Sequence, residues 1–168
     1  MKIVITGHTS GLGKYIYDHF RNDHECIGLS RSNGYDINDV EQVAAVANTA
    51  DIFFNNACSG LQQSKLIDCC YRHTKIITSG SIGADFANID DNEYFRNKKI
   101  IEMNHNVKYK YGKHPMLLLK MGFLENWSPS SKTSISPISY QVVVDSIMFW
   151  INTPRVSMIE IANIWHFK

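Results

Sequence analysis

The opening of the chain constrains its fold most. The β-branched run Lys2-Ile3-Val4-Ile5-Thr6 is stopped by Gly7, and Gly11 and Gly13 stand at the head of an amphipathic segment. A short, continuously apolar run of this kind suits a parallel strand buried on both faces. Leu12, Ile16 and Phe20 then recur at helical spacing, with Lys14, Asp18 and Arg21 on the other side. That pattern predicts a helix over 12–21 whose apolar stripe lies on a sheet. Strand, glycine turn and helix together form the first half of a βαβ unit.

Glycines at 7, 11 and 13 let the backbone turn tightly, approach an anion with no Cβ in the way, and pack the helix closely on the strand. The helix N-terminus adds unpaired N–H groups. The turn Gly7-His8-Thr9-Ser10-Gly11-Leu12-Gly13 is therefore a candidate pyrophosphate cradle made mostly of main chain. Its Gly-x-x-x-Gly-x-Gly spacing departs from the commoner dinucleotide pattern Gly-x-Gly-x-x-Gly.

The alternation continues along the chain. Strand-like runs at 26–30, 51–55, 75–79, 116–120 and 158–164 are interleaved with helical periods at 39–48, 61–73, 93–107 and 139–151. After the turn signal Asn33-Gly34, Tyr35-Asp36-Ile37 has room only for a rudimentary strand. The pattern predicts an α/β, Rossmann-type, doubly wound and mainly parallel sheet of six to seven strands, with helices on both faces and right-handed crossovers. At 168 residues the chain is expected to form a single domain over 1–168. The serine- and proline-rich stretch 123–138 is read as its variable substrate loop.

A formal charge of +1 supplies no long-range field for nucleic acid or an anionic membrane, so neither is expected as a partner. No run approaches the ~20 apolar residues of a membrane span. Cys26, Cys58, Cys69 and Cys70 lack metal-ligand spacing, and the histidines are scattered. The expectation is reduced thiols, a cytoplasmic protein and no metal. Cys58 is read as a small packing residue.

The end of the second strand bears on the ribose. A carboxylate there suits the hydroxyls of NAD, and a cation suits the extra phosphate of NADP. This chain has Ser30-Arg31-Ser32 and no acid. NADP(H) is therefore expected over NAD(H), with Arg31 as the main phosphate contact and Ser30, Ser32 and His8 as candidate hydrogen-bonding partners.

Further along, Ser81 is followed thirteen residues later by Tyr94, and Tyr94 four residues later by Lys98. An ordinary tyrosine has a pKa of about 10, and a nearby cation favours the phenolate. Residues four apart share a helix face, so Lys98 is placed to act on Tyr94. Thr78-Ser79-Gly80-Ser81 offers two hydroxyls; the interval favours Ser81, with Ser79 the competitor.

Taken in order, Thr6-Gly7 with Gly11 and Gly13, Asp36-Ile37, Asn55-Asn56-Ala57-Cys58, Ser81, Tyr94 and Lys98 resemble the short-chain dehydrogenase/reductase family, in its classical branch. The resemblance implies that Asp36 and Ile37 contact adenine, that Asn55, Asn56 and Ala57 lie along the cofactor, and that Lys98 also binds the nicotinamide ribose. Gly122 matches the second residue of a Pro-Gly pair that ends the sixth strand in the family. The implied activity interconverts a small carbonyl and its alcohol. Hydride passes between nicotinamide and carbon while Tyr94 exchanges the proton and Ser81 stabilises the oxygen.

The chain is short for this family. It has almost no helix between Ser32 and Tyr35, and only one between Asn56 and the strand at 75–79. The asparagine that relatives use in a proton relay behind the lysine has no counterpart; Gln62 and Gln63 stand in that region, and neither is assigned the role. A catalytically weak or inactive NADP-binding sensor or partner protein is the alternative. A relative that isomerises sugar nucleotides is disfavoured by the short C-terminal part. A homodimer is left open, because the missing segments include helix surface used for assembly in relatives.

Overall fold

Ile3, Val4 and Ile5 of β1 (Lys2–Thr6) are fully buried because β1 runs in the middle of a sheet, with β2 (Glu25–Leu29) on one side and β3 (Ile52–Asn55) on the other. The computed structural model describes residues 1–125, 135–153 and 155–165. Beyond β3 lie β4 (Lys75–Ser81), β5 (Met116–Met121) and β7 (Met158–Ile161), giving the order β2-β1-β3-β4-β5-β7. Every pairing in this six-stranded sheet is parallel. The fold is the expected Rossmann-type α/β arrangement.

Helices cover both faces. Leu12, Ile16 and Phe20 of α1 (Gly11–Phe20) share a core with Val143, Val144, Ile147 and Trp150 of α5 (Tyr140–Asn152). On the opposite face, Val43, Ala44 and Ala47 of α2 (Val40–Ala47) pack with Leu66 and Ile67 of α3 (Gln62–Cys69) and Ile101 of α4 (Glu93–Gly112). Among the described residues no helix is long and apolar enough to cross a membrane.

The chain leaves β1 for β2 on one flank and returns to β3 on the other. Connections diverge at this point, so a crevice opens beyond the carboxyl ends of β1 and β3. The glycine turn, Asn55 and the residues after Leu29 all stand at that edge.

Several boundaries differ from the sequence pattern, each for a local reason. The rudimentary strand at 35–37 does not form: Asp36 Oδ1 accepts from the backbone and side-chain nitrogens of Asn38, both at 2.9 Å, and bends the chain into a turn. A single 3-10 turn, Arg31–Asn33, stands just before it. Helix α3 stops at Cys69 rather than 73, because Asn48 at the end of α2 donates to Cys69 O (3.1 Å) and accepts from Tyr71 N (2.7 Å). Helix α4 runs five residues past 107 and ends where Lys113 turns left-handed. Tyr109 packs on the core and Lys108 pairs with Asp68 at 3.1 Å, so this charged end is docked to the molecule.

The run expected at 158–164 is divided. Only β7 joins the main sheet, and β8 (Ile164–Trp165) pairs antiparallel with β6 (Ile135–Ser136). Asn163 causes the break: its amide accepts from Phe123 N (2.6 Å) and donates to Phe123 O (2.9 Å) and Ser136 O (2.8 Å). Within the substrate loop read over 123–138, residues 126–134 lie outside the described residues.

Candidate active site

The glycine turn has the backbone that its sequence demands. Gly7 and Gly11 adopt φ of +72° and +52°, a region that other L-residues rarely occupy. A Cβ on Gly13 would collide with the carbonyl oxygen of Gly7 and lie 2.7 Å from Asn56 Nδ2. The helix therefore starts against the turn at a distance only glycine permits. Thr6 fastens the turn to the neighbouring strand: its hydroxyl accepts from Asn56 N (2.9 Å) and Ala57 N (3.0 Å) and donates to Phe54 O (3.3 Å).

Beside this turn is a cavity of about 480 Å³, lined among others by Gly7, Thr9, Ser30, Arg31, Asp36 and Ile37. Ser32 and Ala57 also line it. The structure thus brings eight of the residues singled out for the nucleotide to one cavity. Asn33 holds the rim: its side chain donates to Gly28 O (2.7 Å) and accepts from Ser30 N (2.9 Å). Ser30 and Ser32 join through their hydroxyls at 2.8 Å.

Seven cavity residues, Thr6, Leu29, Tyr35, Asn38, Val43, Cys58 and Ser59, are not assigned to the nucleotide from sequence. Asn38 was detectable as the partner of an Asp-initiated turn, since Asp36-Ile37-Asn38 is a short Asx pattern. Thr6 and Cys58 stand within the motifs quoted for the resemblance, and the rest carry no signal of their own.

His8 is a correction. Its ring does not line the cavity; it packs where a Cβ on Gly28 would stand and lies 5.1 Å from the Tyr17 ring. Its Nδ1 is buried without a partner. Steric fit to a bare strand position, rather than a polar contact, holds the imidazole there. Gly122 stands at the end of β5, where a Cβ would collide with Asn163 Oδ1, so close packing already accounts for this glycine.

Farther along the strand ends, β4 brings up Ser79 and Ser81 and α4 brings up Tyr94 and Lys98. The two serines have separate tasks. Ser79 is buried; its hydroxyl donates to Asn56 O (3.1 Å) and accepts from Gln63 Nε2 (3.0 Å), and its carbonyl accepts from Lys98 Nζ (2.8 Å). Ser81 Oγ accepts from Gly83 N (3.1 Å) and faces the Tyr94 phenol closely enough to favour its ionised form. Of the two hydroxyls, Ser81 is the one presented to Tyr94.

Lys98 is 3% exposed, with Nζ 5.6 Å from the centre of the Tyr94 ring. Burial lowers its pKa, and the adjacent Cys58 thiol works against that shift. Tyr94 is 47% exposed as a whole residue, yet desolvation around the phenol is the leading influence and raises its pKa; Ser81 opposes this and Cys58 reinforces it. Lys98 is expected to leave the phenol below its ordinary value; burial instead holds it above. Burial outweighs the Ser81 hydroxyl, and the Lys98 ammonium is already engaged by two carbonyl oxygens. Cys58 is corrected too: it is exposed, lines the cavity and lies beside Lys98 and Tyr94, so it is no packing residue.

Asn55 is buried at the end of β3, where its side chain donates to Gln63 O (2.8 Å). It braces α3 against the sheet and is not among the cavity residues. Ser10 and Leu12 belong to the turn and first helical turn, with Leu12 in the core beneath. Among the described residues no group of three His, Cys, Asp or Glu side chains could hold a metal ion.

No family model matches the chain, and no curated protein sequence matches it. Solved structures do. The chain is similar to a UDP-N-acetylglucosamine 4-epimerase from Bacillus cereus, with a TM-score of 0.73 at 20% identity over 96% of this chain and 77% of that one. It is also similar to a 4-hydroxyisoleucine dehydrogenase complexed with NADH, with a TM-score of 0.69 at 13% identity over 96% of both chains. A short-chain dehydrogenase from Burkholderia cenocepacia J2315 in complex with NADP gives a TM-score of 0.70 at 17% identity over 95% of this chain and 86% of that one. The chain has the fold of the short-chain dehydrogenase structures.

Proposed function

We propose that this chain is a short member of the short-chain dehydrogenase/reductase family, an NADP(H)-dependent oxidoreductase acting on a small carbonyl or alcohol. The observation that carries this is the meeting of Ser81, Tyr94 and Lys98 beside Cys58, itself a wall residue of the cavity next to the glycine turn. The cavity fits the adenosine part of a dinucleotide in size and lining, and the turn leaves the Cβ-free space a pyrophosphate needs. Gly7, Thr9, Gly11 and Gly13 would hold the pyrophosphate; Asp36 and Ile37 the adenine; and Arg31, Ser30 and Ser32 the 2′-phosphate.

When bound, a nicotinamide cofactor supplies the hydride. The protein's own part is protonic and electrostatic. Tyr94 gives a proton to the carbonyl oxygen on reduction and takes it back on oxidation, while the Ser81 hydroxyl stabilises charge developing there. Lys98 biases Tyr94 towards the phenolate that must form as the proton leaves.

Calorimetry with NADPH and NADH in parallel, followed by a panel of aldehydes and ketones, tests this proposal. Arg31→Ala is expected to weaken NADPH roughly tenfold more than NADH, the loss of one charge-assisted contact to phosphate. Tyr94→Phe is expected to lower carbonyl reduction by about 100-fold or more; a variant as fast as the parent refutes the assignment. The alternative, an inactive NADP-binding sensor, is favoured by the phenol being held above its ordinary pKa. It predicts tight NADPH binding with no turnover across the panel.

A further inference from the structure

We infer that Gln63 is a positioning residue for Lys98: its carboxamide holds the ammonium in place without neutralising it, leaving the positive charge to act on Tyr94. This inference rests on the proposed role of Tyr94 in proton exchange.

Gln63 is completely buried at the start of α3, a position where an amide must have partners. Its Oε1 accepts from Lys98 Nζ at 2.7 Å, and its Nε2 donates to Asn55 O (2.7 Å) and Ser79 Oγ (3.0 Å). The end of β3 and the end of β4 thereby fix the orientation of the amide, with oxygen towards the lysine. Exchanging its oxygen and nitrogen would place N–H groups against Lys98 and an oxygen against the Asn55 carbonyl.

An ammonium has three donors. Two are satisfied by Gln63 Oε1 and Ser79 O, and the Cys58 thiol stands beside the group. Among the described residues no carboxylate forms an ion pair with Lys98. Glu102, one helical turn farther along α4, faces Lys99 at 3.6 Å and Lys120 at 3.8 Å instead.

The choice of a neutral partner has consequences for charge. A carboxylate at 63 would solvate the ammonium equally well, but the pair would be neutral and its field at the phenol would largely cancel. An alkyl side chain would leave a buried cation short of an acceptor and favour its neutral form. Only a neutral acceptor preserves both the position and the charge. The groups facing Tyr94 are Ser81, Cys58 and Lys98, so Lys98 is the one cation in this set.

The test uses full-length protein carrying carbon-13 at the tyrosine Cζ, with the Tyr94 resonance assigned by its loss in Tyr94→Phe. In Gln63→Glu the Tyr94 titration midpoint is expected to rise by roughly one pH unit, as when a cation at this range is cancelled. A folded Gln63→Glu protein whose Tyr94 titrates with the parent overturns the inference. Should that variant not fold, amine acylation followed by peptide mass spectrometry decides. Lys98 in the Gln63→Leu variant is expected to react roughly tenfold faster than in the parent, the factor for one lost charge-assisted hydrogen bond; an equal rate overturns the inference.

The parent protein supplies a measurement independent of either substitution: Lys98 acylated as fast as its half-buried neighbour Lys99 would also overturn it, and strong protection relative to Lys99 supports it. None of these readouts needs cofactor or substrate. A parent that reduces no carbonyl therefore counts against the proposed activity alone, and an unmoved Tyr94 titration against Gln63 alone.

Discussion

A Cβ on Gly28 would fall inside the imidazole of His8, so β2 carries a glycine where the first turn lays a ring. Gly28→Ala should displace that ring and with it the turn between Gly7 and Gly11. The expected loss is about 1–3 kcal/mol of stability, the usual range for overpacking. His8 Nδ1 has no partner, so His8→Ala breaks no hydrogen bond there and should relieve the clash. The double variant His8→Ala/Gly28→Ala is expected to recover much of the loss in urea unfolding. Strict additivity, within about 0.5 kcal/mol, would mean the two positions do not oppose each other.

Ser79 and Ser81 should separate stability from chemistry. Ser79→Ala removes a buried hydroxyl that serves Gln63 Nε2 and Asn56 O, leaving both short of a partner. Its expected effect is a loss of about 1–3 kcal/mol. Ser81→Ala takes away the hydroxyl that faces Tyr94 and should lower carbonyl reduction by about 100-fold, with stability changed by less than about 1 kcal/mol. The reverse pattern, stability lost at Ser81 and rate lost at Ser79, would exchange their roles.

What could be read directly from the sequence was what depends on local chemistry. The glycine turn, the strand and helix alternation and the thirteen-residue interval from Ser81 to Tyr94 all survive in three dimensions, because apolar period and backbone freedom decide them within a few residues. Contacts between distant segments left no such trace. Gln63 has no pattern around it and takes its place beside Lys98 only because Asn55 and Ser79 orient it from two strands. His8 looked like a polar group at the phosphate turn, yet the vacancy over Gly28, twenty residues away in sequence, determines where it points. The direction of the Tyr94 shift escapes the sequence for a related reason: spacing places the cation but carries no information about desolvation.

His105 gives the fold a defined sensitivity to acid. It is fully buried on α4, its Nε2 hydrogen-bonds Ser157 O at 2.9 Å, and burial, opposed by that carbonyl, pushes its pKa down to about 4. An unfolded histidine titrates near 6.5, so between about pH 6.5 and 4 the unfolded chain binds the extra proton. This contribution to stability is therefore present above that window and lost as pH falls through it. Measured by denaturant unfolding, the parent should lose about 2 kcal/mol more between pH 7 and 4.5 than His105→Gln does. Equal losses would show that His105 does not titrate on unfolding.

Lys120 tests how the same helix is held to the far half of the sheet. Its side chain is buried on β5, with Asp85 at 2.6 Å and Glu102 and Glu160 each at 3.8 Å. Burial alone would lower its pKa, and the three carboxylates together turn the shift upward. Asp85 and Glu160 are about half exposed and can be rehydrated, whereas Glu102 is only 12% exposed at its side chain. Lys120→Met should therefore destabilise by about 2–3 kcal/mol, less than for a wholly buried pair, with most of the loss arising at Glu102. Adding Glu102→Gln removes that uncompensated charge and should restore part of the loss in chemical unfolding. If the second substitution instead adds a further loss of its own, Lys99 at 3.6 Å already suffices for Glu102, and the cost of Lys120→Met lies in packing.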